Sequence, residues 1–172
     1  MIYRVTAFWA SLVIAAGAGL AYGQSYADWT VNLKNPSAYS VTTVNDSGRV
    51  LGQYCFFDDN TCYWLIELDS SCEESHKYPV LANGDTGAVS LELFCHGRLD
   101  DGGYAYAFTN FDQVDKIIGQ SNQVGFAIPM QDDEFRVVRF NVRGAARALS
   151  AMAEALAKRS KAVPKNTRDK RL

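Results

Sequence analysis

The chain has 172 residues, of which 48% are hydrophobic and 21% charged, and its formal net charge is −2. That length suits one domain, and the composition is that of a globular chain, not a disordered or collagen-like one. The charge is unevenly spread: residues 24–157 hold nine Lys/Arg against eighteen Asp/Glu, giving −9, which repels phosphate and argues against nucleic acid as a partner.

Residues 1–23 read as a signal peptide. Arg4 supplies the positive start, residues 5–20 form an apolar run, and Ala21-Tyr22-Gly23 puts small residues at −3 and −1. Cleavage before Gln24 is therefore expected, and with it a periplasmic or secreted destination. An uncleaved membrane anchor is the alternative, because the run approaches the length of a span. The alanines and glycine at 15–18 favour cleavage, and no cysteine follows the run to carry a lipid. No second stretch near 18 apolar residues occurs, so no stable membrane span is expected after cleavage.

After the leader, Asp28-Trp29-Thr30-Val31 reads as a first strand, with Trp29 in the core. Residues 39–44 form the next, and Asn45-Asp46-Ser47-Gly48 is turn chemistry. Residues 50–57 and 62–68 make a central hairpin, in which Trp64, Ile66 and Leu68 share the face to be buried. Residues 69–76 are polar and read as a loop, followed by a strand at 78–81. Residues 88–95 alternate with Val89, Leu91, Leu93 and Cys95 inward, and 104–108 form another strand. Residues 110–118 read as a helix, with Asn110 as N-cap, Gln113 completing a capping box and Gly119 as a left-handed stop. Strands follow at 124–130 and 135–142. A last helix over 144–161 carries a stripe of Ala145, Leu149, Met152 and Leu156, suited to packing on its own sheet. Strands about every ten residues predict a mostly β fold, a single antiparallel sandwich or barrel-like domain with a short internal helix and a C-terminal helix. The domain spans 24–157. Lys158 to Leu172 form a basic, disordered tail with seven Lys/Arg against Asp169 alone, suited to touching anionic surfaces or to solubility.

All four cysteines and both histidines lie between positions 55 and 96. In an exported chain, four thiols allow three pairings. Cys55 and Cys62 flank a turn-forming cluster, so the expected bridges are Cys55–Cys62, pinning the hairpin, and Cys72–Cys95, closing a second loop. The rival is a zinc site of Cys72, His76, Cys95 and His96, the right ligand set for a tetrahedral metal. Adjacent Cys95 and His96 point to opposite faces of a strand, which argues against it. No metal and no cofactor is expected.

Catalytic signatures are missing: there is no nucleophile elbow, phosphate loop, dinucleotide fingerprint or zinc-protease helix. Glu67 and Asp69 lie two apart on one strand face, with Glu73 and Glu74 nearby, so a small secreted hydrolase using paired carboxylates is the alternative to a non-enzymatic protein. Asp58-Asp59-Asn60 and Asn83-Gly84-Asp85 offer oxygen atoms but no calcium-loop spacing, and turn chemistry accounts for both.

Asp28-Trp29-Thr30-Val31 near the mature start, the late strand 137–142 and the Gly144-Ala145-Ala146-Arg147-Ala148-Leu149 run together resemble the invasion-associated locus B family of exported bacterial proteins. The chain departs from that pattern in having no cysteine just after Trp29. The resemblance implies a β-rich periplasmic or surface protein linked to host interaction, with no catalytic residues to carry over. Missing catalytic motifs, together with export and stapling, point to a non-enzymatic envelope or surface protein that binds a protein, glycan or surface partner.

Overall fold

Alternation sets the strands. In β2 (Trp29–Asn32) buried Trp29 and Val31 alternate with exposed Thr30 and Asn32, and in β5 (Cys62–Leu68) Trp64, Ile66 and Leu68 point inward. The computed structural model describes residues 23–99, 102–129 and 135–162. The expected leader, save Gly23, and the tail beyond position 162 lie outside the described residues, as do the connections at 100–101 and 130–134. Of the basic segment 158–172, residues 158–162 are helical.

The remaining strands are β1 (Gln24–Tyr26), β3 (Ala38–Val44), β4 (Val50–Phe56), β6 (Lys77–Gly84), β7 (Gly87–Arg98), β8 (Tyr104–Phe108), β9 (Gln123–Pro129) and β10 (Phe135–Asn141). The helices are α1 (Phe111–Gly119) and α2 (Ala145–Ala162). All ten strands join one antiparallel sheet in the order β1-β2-β3-β4-β5-β8-β7-β6-β9-β10. The first five form a meander. β6 to β8 form a second, laid in reverse so that β8 meets β5, and α1 carries the chain from β8 to the far side of β6. The expected antiparallel β domain with two helices thus forms as one continuous sheet that does not close into a barrel.

The sheet rolls around its core, and its two ends meet at one corner. There the Asp28 N–H donates to the Arg143 carbonyl (3.2 Å), and Thr43 Oγ1 donates to the Asn141 carbonyl (3.2 Å). Arg143 returns Nε to Asp28 Oδ2 (3.0 Å) and Nη2 to Oδ1 (3.2 Å). Gly144, the next residue, has φ +87°, and a Cβ there would run into the Tyr26 carbonyl, so only glycine fits the approach of α2 to β1. The Arg143 guanidinium hydrogen-bonds Asp28 and holds its carboxyl below the usual range, against a smaller opposing effect of burial. That contribution is present above the unfolded value of about 3.9 and is lost as pH falls through the lowered native value. Asp28→Asn is therefore expected to lower Tm at pH 7, with the gap to the parent closing under acid; thermal melts from pH 7 to 2 check this.

Inside, Trp29 and Trp64 meet edge to face with centroids 6.0 Å apart. Phe108, Phe126 and Phe140 continue the aromatic core at 5.3 and 6.2 Å. α2 lays Ala145, Ala148 and Met152 against it, with Leu149 and Leu156 half-buried at the margin.

Two local expectations are corrected. Asn110 precedes α1 but makes no side-chain cap; its Oδ1 instead accepts the Glu92 N–H (2.9 Å), a β7 donor that outcompetes the helix. Gly119 is not left-handed: α1 ends through Gln120 at φ −109°, whose N–H reaches the Lys116 carbonyl.

Candidate binding surface

The stapled region holds most of the residues that chemistry could use. Cys55 sits directly opposite Cys62 in the β4–β5 register, and the two are disulfide-bonded across a Cα separation of 4.0 Å. Cys72 bonds Cys95, tying the 69–76 loop to β7. The loop is held further by Tyr106, whose hydroxyl donates to the Ser70 carbonyl (2.8 Å), and by Ser75 N–H to the Cys95 carbonyl (3.1 Å). Burial raises the Tyr106 hydroxyl to about 12, so it stays a donor at any ordinary pH.

The four zinc candidates do not converge. The sulfurs of Cys72 and Cys95 are bonded to each other, His96 is exposed beside buried Cys95, and His76 faces Glu73 at 3.3 Å in solvent. A bulge between Cys95 and Gly97 (φ +121°) gives the strand its local irregularity there. The oxygen clusters serve turns. Asp59 accepts from Thr61 N–H (2.9 Å) and the Tyr63 hydroxyl (3.2 Å), while Asp85 takes both the main-chain and side-chain N–H of Asn122 at 2.8 Å.

Glu67 and Asp69 are brought together by Arg49. One guanidinium nitrogen holds Glu67 and the other Asp69, and Arg136 reaches the far oxygen of Asp69 at 4.0 Å. Glu67 is packed against Gly103, where a Cβ would come within 2.8 Å of its Oε1. Each carboxylate is thus committed to a cation, and Asp69 but not Glu67 lines the adjoining cleft.

That cleft, about 420 Å³, lies between β10 and the β3–β4 turn, where a barrel would have closed. A second of about 410 Å³ lies on the outer face of β6, β9 and β10, and the two share Val137 and Arg139. Register places Leu81, Ala127 and Val137 side by side across these three strands. Leu81 is 50% exposed, Val137 46% and Phe135 68%, an apolar row on a face that should be polar if it only met water. Sequence reasoning placed β10 but missed this surface. Its signal is the Val137-Val138 pair between Arg136 and Arg139, which puts an apolar residue on each face of the strand.

No family model matches the chain, and no curated protein matches it. Its fold is similar to that of the crystal structure of invasion associated protein B from Bartonella henselae. The TM-score is 0.58 over 78% of this chain and 97% of that one, at 15% identity. The likeness is one of fold.

Proposed function

We propose that the chain is an exported, non-enzymatic protein of the bacterial envelope or surface that binds a protein or glycan partner through the outer face of β6, β9 and β10, with host contact as its setting. The observation that carries this is the exposed row Leu81–Ala127–Val137, with Phe135 beside it, on a disulfide-stapled sheet. The two disulfides fit an oxidising compartment, and cleavage before Gln24 would leave β1 whole, since β1 starts there. Among the described residues no helix is long and apolar enough to cross a membrane. The similar fold of a protein called invasion associated gives the host setting its support. Binding is favoured over hydrolysis because Glu67 and Asp69 are both spent on Arg49.

The test is photo-crosslinking in intact producing cells, with benzoylphenylalanine at Leu81 or Val137 and, as control, at exposed Ala153 on α2. Discrete adducts from the first two sites and none from the third are expected. Equal labelling at all three would reject the surface. Hydrolytic turnover by the purified protein that disappears in Glu67→Gln would reject the non-enzymatic reading.

A further inference from the structure

We propose that the free edge of β10 pairs with an extended segment of a partner protein whose side chains run acid–apolar–apolar–acid–apolar, adding an eleventh strand. This rests on the binding reading above and specifies its partner.

The ladder shows which main-chain groups are free. Val142 N–H donates to the Asn122 carbonyl, so the hydrogen-bonded pairs with β9 fall on residues 140, 138 and 136. The N–H and C=O groups of Phe135, Val137 and Arg139 therefore face away from β9. The Asn141 carbonyl, next in that series, faces outward and accepts from Thr43, as this phase requires. Among the described residues nothing meets the other three, because β10 ends the sheet.

The opposite edge is managed differently. β1 has three residues, and the Tyr26 carbonyl is covered by Gly144. β10 has seven residues and no proline, and its charges are Arg136 and Arg139, which disfavour a basic partner strand and leave the edge open to an acidic one. The 420 Å³ cleft, walled on the far side by Asn45, Asp46 and Ser47, opens beside this edge. Strand addition to such an edge takes affinity from main-chain bonds and specificity from alternate side chains.

Charge selects the occupant. Among the described residues Arg139 has no ion pair, and Arg136 has only the 4.0 Å approach to Asp69, which Arg49 already holds. Residues 135–153 carry four arginines and no acid on an otherwise acidic body. Carboxylates opposite Arg139 and Arg136 satisfy both, and apolar residues fit opposite Val138, Val137 and Phe135. Read along an antiparallel partner, this is the stated pattern. The chain's own segment 158–172 is basic and is repelled here, and a second copy would bring a second pair of the same arginines.

The experiment is fluorescence anisotropy of the purified protein with the labelled, capped peptide Thr-Glu-Val-Val-Glu-Val-Thr at low ionic strength. Saturable binding is expected, weakened at least ~10-fold by lysine for glutamate in the peptide and by Arg139→Glu in the protein. Val137→Pro removes an outward N–H and no β9 bond, so it should abolish binding. Should that variant misfold, a peptide N-methylated at alternate amides tests the same bonds from the partner's side and should bind at least ~10-fold more weakly. Equal binding of the methylated peptide, tighter binding of the lysine peptide, or no binding of any peptide would overturn strand addition. So would a dimer in sedimentation that Val137→Pro converts to monomer, which would give the edge to a second copy. If the peptide fails while Val137 still crosslinks in cells, strand addition falls and the binding surface stands; if both fail, both fall.

Discussion

Replacing Trp64 by alanine is expected to lower the unfolding free energy by about 3–5 kcal/mol, the range for removing a buried aromatic ring. Trp64 lies on β5, in the middle of the sheet order, and is wholly buried against Trp29. Trp64→Phe should cost much less, because the indole N–H of Trp64 has no acceptor among the described residues and its loss orphans nothing. A double-mutant cycle with Trp29→Ala should return a coupling of about 0.5–1.5 kcal/mol for the edge-to-face pair. Urea melts followed by far-UV circular dichroism measure all four. A loss under about 1 kcal/mol for Trp64→Ala would mean that β5 is not the spine of this core.

The same tryptophan shows why much of the sheet was readable in advance. A side chain fully buried on one face of a strand demands period-two alternation, and residues 62–68 and 88–95 provide it. The stripe on α2 was readable for the same reason, at helical spacing. Where local pattern and long-range partner compete, sequence reasoning failed. β1 is three residues without alternation, and it is a strand because β2 pairs it and Gly144 lets α2 close over it. Asn110 had the right identity for a cap, but the Glu92 N–H lies 18 positions away in the chain and no local rule could place it. The β5–β8 pairing spans about forty residues and depends on the reversal of β6 to β8.

The motifs that suggested a family also gain a physical meaning. Asp28-Trp29 and Arg143-Gly144 are 115 residues apart, yet their hydrogen bonds close the corner where the sheet's two ends meet. In this chain the corner uses an acceptor before the first core tryptophan and a glycine before the last helix. Part of that resemblance is therefore a requirement of folding, and it says nothing of a partner. The outer surface has no such constraint: Leu81 and Val137 lie 56 positions apart in the chain, and only the register through Ala127 sets them in one row.

Removing the two disulfides should have unequal consequences, and the difference tests how the loop at 69–76 is held. By loop entropy the short bridge contributes about 2.5 kcal/mol and the longer about 3.5 kcal/mol. The local settings widen that gap. Cys55 and Cys62 stand opposite each other in a hairpin that the Phe56 N–H already closes onto the Thr61 carbonyl (2.9 Å), so the ladder survives without the bridge. Cys72 lies outside any strand, and without its bond to Cys95 the loop keeps only a few contacts, among them Tyr106 to Ser70 and Ser75 to the Cys95 carbonyl. Cys72→Ser with Cys95→Ser should therefore lower Tm more than Cys55→Ser with Cys62→Ser, and should also open residues 69–76 to proteolysis below the melting transition. The domain should stay folded in both variants, because about 150 residues bury enough apolar surface on their own. Calorimetry, limited proteolysis and mapping of the unreduced digest read the three outcomes. Equal losses of Tm with the 69–76 loop still protected would mean that its hydrogen bonds, and not the Cys72–Cys95 bridge, hold it against β7.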